Sequence, residues 1–340
     1  MNKELGIPTT DSPEKGCNPS NLLQNAPFIK SGFTLEPPTP ILKPMTPLGI
    51  ITDEVSSDFA RACELVSEWG LSHVELRVLW GKNILQLSEE EVAEVKRILD
   101  QYGLAVTGIA SPVFKSPLDG KPREVEADFA LSGSETLEGQ LELLTQTCEL
   151  CDTFDTKLIR VFTFWDEPWS DALVATVAEK LLQAALIAQQ YDKVLAIENE
   201  PVCSVGTGRE LGALLKVLEA RATADLRPYL GGLWDPGNAL AAGETPYPNG
   251  YEALKDRRVV HVHLKDLTFT PEGEPTFVPV GEGQVDYAGQ LHALAEAGYE
   301  GAFVLEPHYN PEDMAQEEAA KACVTAAQTF LERYFAQQNG

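Results

Sequence analysis

Basic residues are scarce in this chain of 340 residues, which has 26 Lys and Arg against 52 Asp and Glu and a formal net charge of −26. Because such a surface repels phosphate backbones and anionic lipid headgroups, we expect neither nucleic acid nor a membrane as partner. The chain also lacks any apolar run of the roughly 18 residues that span a bilayer. No basic region followed by an apolar stretch opens the N-terminus, so we predict no signal peptide.

Cysteines are few and their spacing gives no disulfide framework: Cys17, Cys63, Cys148, Cys151, Cys203 and Cys323. Cys148 and Cys151 form a C-x-x-C, but they fall in a helical pattern with no second pair nearby. We interpret them as helix residues rather than as a metal or redox site. Free thiols are typical of a reducing compartment, so we expect a cytoplasmic protein.

Regular structure is not expected in the first 44 residues, where eight prolines interrupt any helix or strand. We predict that residues 1–44 form a Pro-rich, partly disordered tail and that residues 45–340 form one domain.

From residue 47 onward, apolar strand-like runs alternate with helical patterns eight times. Strands that are apolar throughout are typical of a parallel sheet with both faces buried. Eight such units in just under 300 residues predict a (β/α)₈ TIM barrel of the α/β class. The competing open, doubly wound sheet is disfavoured because no G-x-G-x-x-G follows the first strand. The sixth helix is predicted near Tyr251–Arg257.

Four of the predicted strands end in a side chain that can bind a metal. These side chains are Glu198, Asp235, His263 and Glu306, from strands five to eight. In a barrel these strand ends are neighbours on the face that carries the active site. Three carboxylates and one imidazole suit one divalent ion, Mn²⁺, Mg²⁺, Co²⁺ or Zn²⁺. The alternative is four unrelated strand ends that are capped by polar residues.

A metal-bound substrate loses a proton easily from the carbon next to a carbonyl, and carboxylates can remove and return that proton. Glu198 and Glu306 are the candidates, because strands five and eight flank the other two ligands. Lys265 shares a strand face with His263 and is a third catalytic candidate. It would neutralise an enediolate or, alternatively, form a salt bridge with a rim carboxylate.

Further residues near the predicted barrel mouth are candidates for binding the substrate. Arg77 would bind a substrate oxygen or pair with Glu75. Trp165 would stack on the apolar face of a sugar or pack under its loop. His261 lies deeper on the His263 face and would be a buried histidine or support the site. Glu282 lies in the turn after strand seven.

The motifs at these strand ends resemble the sugar phosphate isomerase/epimerase family of xylose isomerase-like TIM barrels. The resemblance covers roughly residues 48–335 and is carried by ITDE at 51–54, VELR at 74–77, IENE at 197–200, LWDPGNA at 233–239, HVHLKD at 261–266, VGEG at 280–283 and LEPH at 305–308. It implies the same four metal ligands, with the two glutamates as acid and base. Several relatives have a histidine where this chain has Asn238, which we include among the substrate-binding candidates.

The resemblance implies a metal-dependent isomerase or epimerase of carbohydrate metabolism that acts on a small sugar or sugar-like polyol through an enediolate. One alternative is a dehydratase or lyase of the same barrel family that acts on a keto-inositol-like substrate. Another is a sugar-binding barrel without catalysis. The sequence leaves open the substrate, its phosphorylation and the native metal, and it is compatible with a homo-oligomer.

Overall fold

The computed structural model describes residues 47–121 and 135–338. The predicted tail, residues 1–44, lies outside the described residues, so its boundary stays a prediction. No helix within the described ranges is both long and apolar enough to cross a membrane.

Eight parallel strands close into a barrel, which confirms the predicted fold. They are β1 (Leu48–Ile51), β2 (His73–Leu76), β3 (Ala105–Ile109), β4 (Leu158–Val161), β5 (Val194–Glu198), β6 (Leu230–Trp234), β7 (Val259–Leu264) and β8 (Phe303–Leu305). Closure is visible at Ile50 of β1, which lies opposite Val74 of β2 on one side and Leu305 of β8 on the other. The strands are short and mostly buried, as parallel strands between a helical layer and a packed interior must be.

The helices surround the strands in alternating order. They are α1 (Phe59–Glu68), α2 (Glu89–Tyr102), α3 (Leu137–Thr153), α4 (Asp171–Gln190), α5 (Gly208–Arg221), α6 (Pro236–Ala241), α7 (Tyr287–Glu296) and α8 (Gln316–Gln338). Local capping explains several of their starts: Ser88 with Glu91 and Thr207 with Glu210 form capping boxes at α2 and α5. Cys148 and Cys151 are buried in α3, as predicted, and burial raises the pKa of Cys148 to about 12.

The short helix predicted near Tyr251–Arg257 corresponds only to a helical segment that spans Pro246–Gly250 and continues into Tyr251, and α6 lies earlier in the chain. Instead of starting near Tyr251, α6 begins one residue after Asp235, with Pro236 at its first position. The Asp235 carboxylate accepts a hydrogen bond from the backbone N–H of Asn238 (2.8 Å), and proline needs no such partner at a first helical position. A metal-competent side chain is therefore also the cap that starts a helix.

Two short antiparallel hairpins were not predicted. One joins Val78–Leu79 to Lys82–Asn83 after β2, and the other joins Asp266–Phe269 to Pro275–Val278 after β7. Both follow the carboxyl ends of barrel strands, and thus they add structure to the face where the candidate residues gather.

Candidate metal centre

The four predicted ligands lie together inside the barrel mouth. Glu198 is the last residue of β5, Asp235 and Glu306 directly follow β6 and β8, and His263 is the fifth residue of β7. One ligand atom from each of the four lies within 4.8 Å of the others. All four residues are buried, with Glu306 the most exposed at 3%.

The donor set fits a divalent cation. The Oε2 atom of Glu198 and the Oδ2 atom of Asp235 are buried and accept no hydrogen bond. Each lies beside a cation instead: Glu198 Oε2 is 3.5 Å from Arg160 Nε, and Asp235 Oδ2 is 3.1 Å from Lys265 Nζ. Buried carboxylate oxygens without hydrogen bonds are costly, and an ion bound between them would satisfy both.

Asp235 is held with one oxygen turned to the cap of α6, which leaves the other for the site. The side-chain amide of Asn199 fixes its backbone, because Nδ2 donates to the Asp235 carbonyl and Oδ1 accepts from the Asp235 N–H, both at 2.9 Å. Asn238 donates to the Asn199 carbonyl through Nδ2 (2.9 Å) and accepts from Lys265 Nζ through Oδ1 (2.9 Å). The two asparagines thus tie the ends of β5 and β6 together.

His261, His263 and Lys265 project to the barrel interior at successive levels of β7, as strand periodicity predicted. His261 Nε2 is 2.6 Å from Glu75 Oε2, and His263 Nε2 is 3.2 Å from Glu75 Oε1. His261 is therefore a buried histidine that contacts a carboxylate. The sequence analysis named Glu75 only as a possible partner of Arg77. Its position on β2 indicates an inward-facing side chain, but nothing in the sequence indicates its two histidine partners.

Lys265 sits at the top of this face, where its ammonium group is 2.8 Å from Glu306 Oε2 as well as beside Asp235. The two readings of Lys265, substrate contact and salt bridge, are compatible here. The ammonium is paired with carboxylates, and those carboxylates are members of the ligand set.

Two arginines neutralise the carboxylates from the other half of the barrel. Arg77 contacts Asp53 and Glu54 and donates to Glu306 Oε1 at 2.6 Å. Arg160 of β4 was missed by the sequence analysis. It lies near Glu306 (3.6 Å) as well as Glu198, and its guanidinium is 4.7 Å from the centroid of the Phe162 ring. An arginine inside an otherwise apolar strand, LIRV, is the signal that could have revealed it.

The electrostatics keep both glutamates ionised. Burial alone would raise the pKa of Glu198, but Arg160 and His263 outweigh it and the pKa lies below its usual value. Burial acts in the same direction on Glu306, and Lys265 together with a hydrogen bond from His263 holds its pKa well below the usual range. Both side chains are carboxylates at neutral pH.

Asp235 and His263 bind protons more readily than usual. Burial raises the pKa of Asp235 to about 6, although the neighbouring Lys265 opposes the change. Burial would lower the pKa of His263, but the carboxylates of Glu75 and Glu198 raise it well above 6.5. A metal at this site must therefore displace a proton from His263, and below about pH 6 also one from Asp235.

Two substrate-binding candidates lie apart from the ligand set. Trp165 is buried and packs with Phe162 and Cys203, which corresponds to the packing alternative. Glu282 is exposed and lines a groove with residues of α8, among them Lys321 and Phe330.

Comparison with known proteins shows which family, which curated proteins and which solved structures this chain resembles. A family model described as xylose isomerase-like TIM barrel matches residues 63–324. Inosose dehydratase of Clostridium botulinum (strain Alaska E43 / Type E3) is 27% identical over 300 residues, which cover 78% of this chain and 89% of that protein. The crystal structure of the IOLI protein with a bound zinc atom has a TM-score of 0.64 at 18% identity, covering 85% of this chain and 99% of that one. A D-tagatose 3-epimerase-like protein has the same TM-score and identity, covering 86% and 98%.

Proposed function

The chain belongs to the xylose isomerase-like TIM barrel family, and we propose that it is a divalent-metal-dependent enzyme that removes a proton next to the carbonyl of a small polyol. The observation that carries this proposal is the ligand set of Glu198, Asp235, His263 and Glu306, whose ligand atoms lie within 4.8 Å of one another inside the barrel mouth. A bound ion would supply Lewis acidity to the carbonyl and an adjacent hydroxyl of the substrate.

Side chains in and around the ligand set would transfer the proton and stabilise the negative charge that develops on the substrate. Glu198 is the base, because its carboxylate is ionised and the arginine beside it, Arg160, is 3.5 Å away, farther than the nearest arginine and lysine are from Glu306. Lys265 carries the positive charge that stabilises an enolate oxygen, and Asn238 fixes its ammonium group by accepting from it. Burial of these groups strengthens each of these interactions by excluding water.

Dehydration is the outcome that we favour. The electrons of the broken C–H bond form a C=C bond, and the hydroxyl of the next carbon leaves with a proton as water. This outcome needs one base, and Glu306 is poorly suited to be a second, since Lys265 holds its pKa well below the usual range and Arg77 donates to its other oxygen. The relation to inosose dehydratase over 89% of that protein supports a cyclic keto-polyol as the substrate class.

Epimerisation or isomerisation, the reaction predicted from the sequence, is the second candidate. The observation in its favour is that His263 lies between Glu198 and Glu306, with Nδ1 at 3.1 Å and 3.4 Å from their carboxylate oxygens. Two carboxylates around one substrate carbon could exchange a proton from opposite sides. The similarity to a D-tagatose 3-epimerase-like fold is compatible with this outcome.

Product analysis in D₂O distinguishes the candidates. The purified protein, loaded with Mn²⁺, is incubated with a keto-inositol and, separately, with a ketohexose, and the products are weighed by mass spectrometry. Loss of one water from the keto-inositol supports dehydration. Deuterium next to the carbonyl without loss of water supports epimerisation or isomerisation by proton transfer. If neither change occurs and Asp235→Ala behaves like wild type, the proposed chemistry is wrong.

A further inference from the structure

Glu75 is a buried carboxylate outside the ligand set that contacts the only imidazole in it. It lies on β2, across the barrel from β7, and it has no solvent exposure. Each of its oxygens faces a different ring, Oε2 at 2.6 Å from His261 Nε2 and Oε1 at 3.2 Å from His263 Nε2. One residue therefore spans two successive levels of β7.

We propose that Glu75 is a positioning residue that selects which nitrogen of His263 binds the metal. This inference rests on the proposed metal site but not on the reaction catalysed there. In the metal-bound protein, Nδ1 of His263 is the ligand atom, and the N–H group at Nε2 donates a hydrogen bond to Glu75.

The two ring nitrogens of His263 face different surroundings. Nδ1 is 3.1 Å from Glu198 Oε1 and 3.4 Å from Glu306 Oε2, and both of these residues belong to the ligand set. Nε2 points away from that set toward Glu75. A neutral imidazole has one N–H donor and one lone pair, so a donor at Nε2 leaves the lone pair at Nδ1. A carboxylate behind a metal-binding histidine fixes both its tautomer and its ring orientation.

His261 holds Glu75 in place from below. The short contact to Glu75 Oε2 uses the second oxygen, so the carboxylate cannot rotate away from His263 without losing a hydrogen bond. The two imidazole rings meet edge to face, with centroids 5.3 Å apart. His261 thus acts on the metal site through Glu75. This role explains why a histidine lies deeper in the barrel than the substrate needs to reach.

The test compares Glu75→Gln with wild type and with Glu210→Gln. Glutamine keeps the shape of Glu75, but its amide offers one acceptor and one donor group instead of two acceptor oxygens. Glu210→Gln is the matched control, because Glu210 accepts backbone N–H groups at the start of α5 and does not contact a histidine. Zinc affinity is measured by competition with a chelator, and ¹⁵N spectra of the histidine rings report which nitrogen is protonated and which binds Zn²⁺. The chain has only five histidines, so the ring signals can be assigned one by one.

We expect Zn²⁺ bound at Nδ1 of His263 with a proton at Nε2 in wild type and in Glu210→Gln. In Glu75→Gln we expect a roughly 10–100-fold weaker affinity, the usual effect of losing such a partner, together with changed ring-nitrogen shifts. Ligation through Nε2 in wild type, or unchanged affinity and shifts in Glu75→Gln, overturns the proposal. If Glu75→Gln does not fold, the wild-type spectrum alone decides. A wild type that binds no zinc overturns the metal site and this proposal together, whereas an inactive protein that binds zinc through Nδ1 overturns only the proposed function.

Discussion

At the scale of single residues, Glu306 has several charged partners. Its carboxylate contacts Arg77 at 2.6 Å, Lys265 at 2.8 Å and His263 at 3.4 Å. It is thus a ligand candidate and one of several carboxylates beside two buried cations, since Arg77 also contacts Asp53 and Glu54 and Lys265 also contacts Asp235. Removing its charge takes one partner from each of these cations, which is costly in a buried site.

We therefore expect Glu306→Gln to bind metal with reduced affinity. Epimerisation through two bases would also make turnover roughly 10²–10⁴-fold slower, whereas dehydration with Glu198 as the single base would not lose a general base. The amide oxygen retains one ligand atom, so metal content at saturating Mn²⁺ should persist. Rates are compared at metal saturation, with Glu94→Gln on the surface of α2 as the control. Near-normal turnover in Glu306→Gln would leave Glu198 as the single base and would argue against the two-base epimerisation.

The second residue-scale prediction concerns pH. Protonated Asp235 and protonated His263 cannot bind a metal, so the raised pKa of each makes metal affinity increase as pH increases. With the pKa of Asp235 at about 6, we expect its share of the affinity to fall by about tenfold per pH unit below that value. Calorimetric titration with Mn²⁺ between pH 5 and pH 8, using buffers of different ionisation enthalpy, measures both affinity and protons released. A flat profile without proton release would contradict these protonation states.

Sequence reasoning proposed the four candidate ligands because each is a polar residue at or near the end of an apolar strand, and the structure brings them together. It could not assign the partners of the buried charges. Strand parity places Glu75 and Arg77 on one face, but the structure puts Arg77 beside Glu306, which follows β8, and Glu75 beside the histidines of β7. Such choices depend on distances across a closed barrel, and no local pattern contains them.

At the scale of elements, α6 and β7 approach each other closely enough to constrain the site. A Cβ atom at Gly237 would lie 2.3 Å from the Lys265 carbonyl oxygen and 2.8 Å from its Cβ. Only glycine therefore permits α6, with Asp235 as its cap and Asn238 in its first turn, to lie against the end of β7.

Gly237→Ala should push α6 away from β7 and disturb the Asp235–Lys265 pair. We expect it to lower the free energy of unfolding by about 1–3 kcal/mol, as overpacking usually does, and to weaken metal binding. Gly70→Ala is the control, since Gly70 has φ +80° with no atom within 4 Å of an added Cβ. That variant should cost about 1–2 kcal/mol of backbone strain without changing metal affinity. Equal metal affinity in both variants would show that α6 does not position Asp235.

The misplaced sixth helix has a physical explanation at the same scale. Sequence periodicity detects helices of several turns, whereas α6 spans only Pro236–Ala241 and is defined by its cap. The Asp-Pro pair is a start signal, but the same aspartate had already been interpreted as a strand-end ligand. Asp235 is thus both a candidate metal ligand and the cap of α6, whereas the sequence pattern indicated only the first of these roles.

At the scale of the whole molecule, all eight barrel strands lie between Leu48 and Leu305. We expect a variant without residues 1–44 to fold and to bind metal like the full chain, because no barrel strand is removed. Circular dichroism, thermal unfolding and metal titration of the two proteins provide the measurement. An insoluble product, or one that melts far below the full chain, would show that residues 1–44 contribute to the folded state.

The barrel itself was predictable because its evidence is repetitive. Eight alternations of an apolar strand with an amphipathic helix are hard to reconcile with another topology, and small errors at element ends do not change the count. The two hairpins after β2 and β7 were not predictable in this way. Their strands are only two to four residues long. They come soon after barrel strands, so they add no separate apolar run to the sequence pattern.

The residues of the site come from both halves of the chain, so they are synthesised at different times. The four candidate metal ligands all come from residues 198–306, whereas Glu75, Arg77 and Arg160 are synthesised earlier. Until β7 has emerged, the Glu75 carboxylate lacks both of its histidine partners. Arg160 at that stage lacks the later Glu306 carboxylate, whereas Arg77 already has Asp53 and Glu54. A buried charge without its partner is costly. We therefore expect Glu75 to become buried only when β7 is in place.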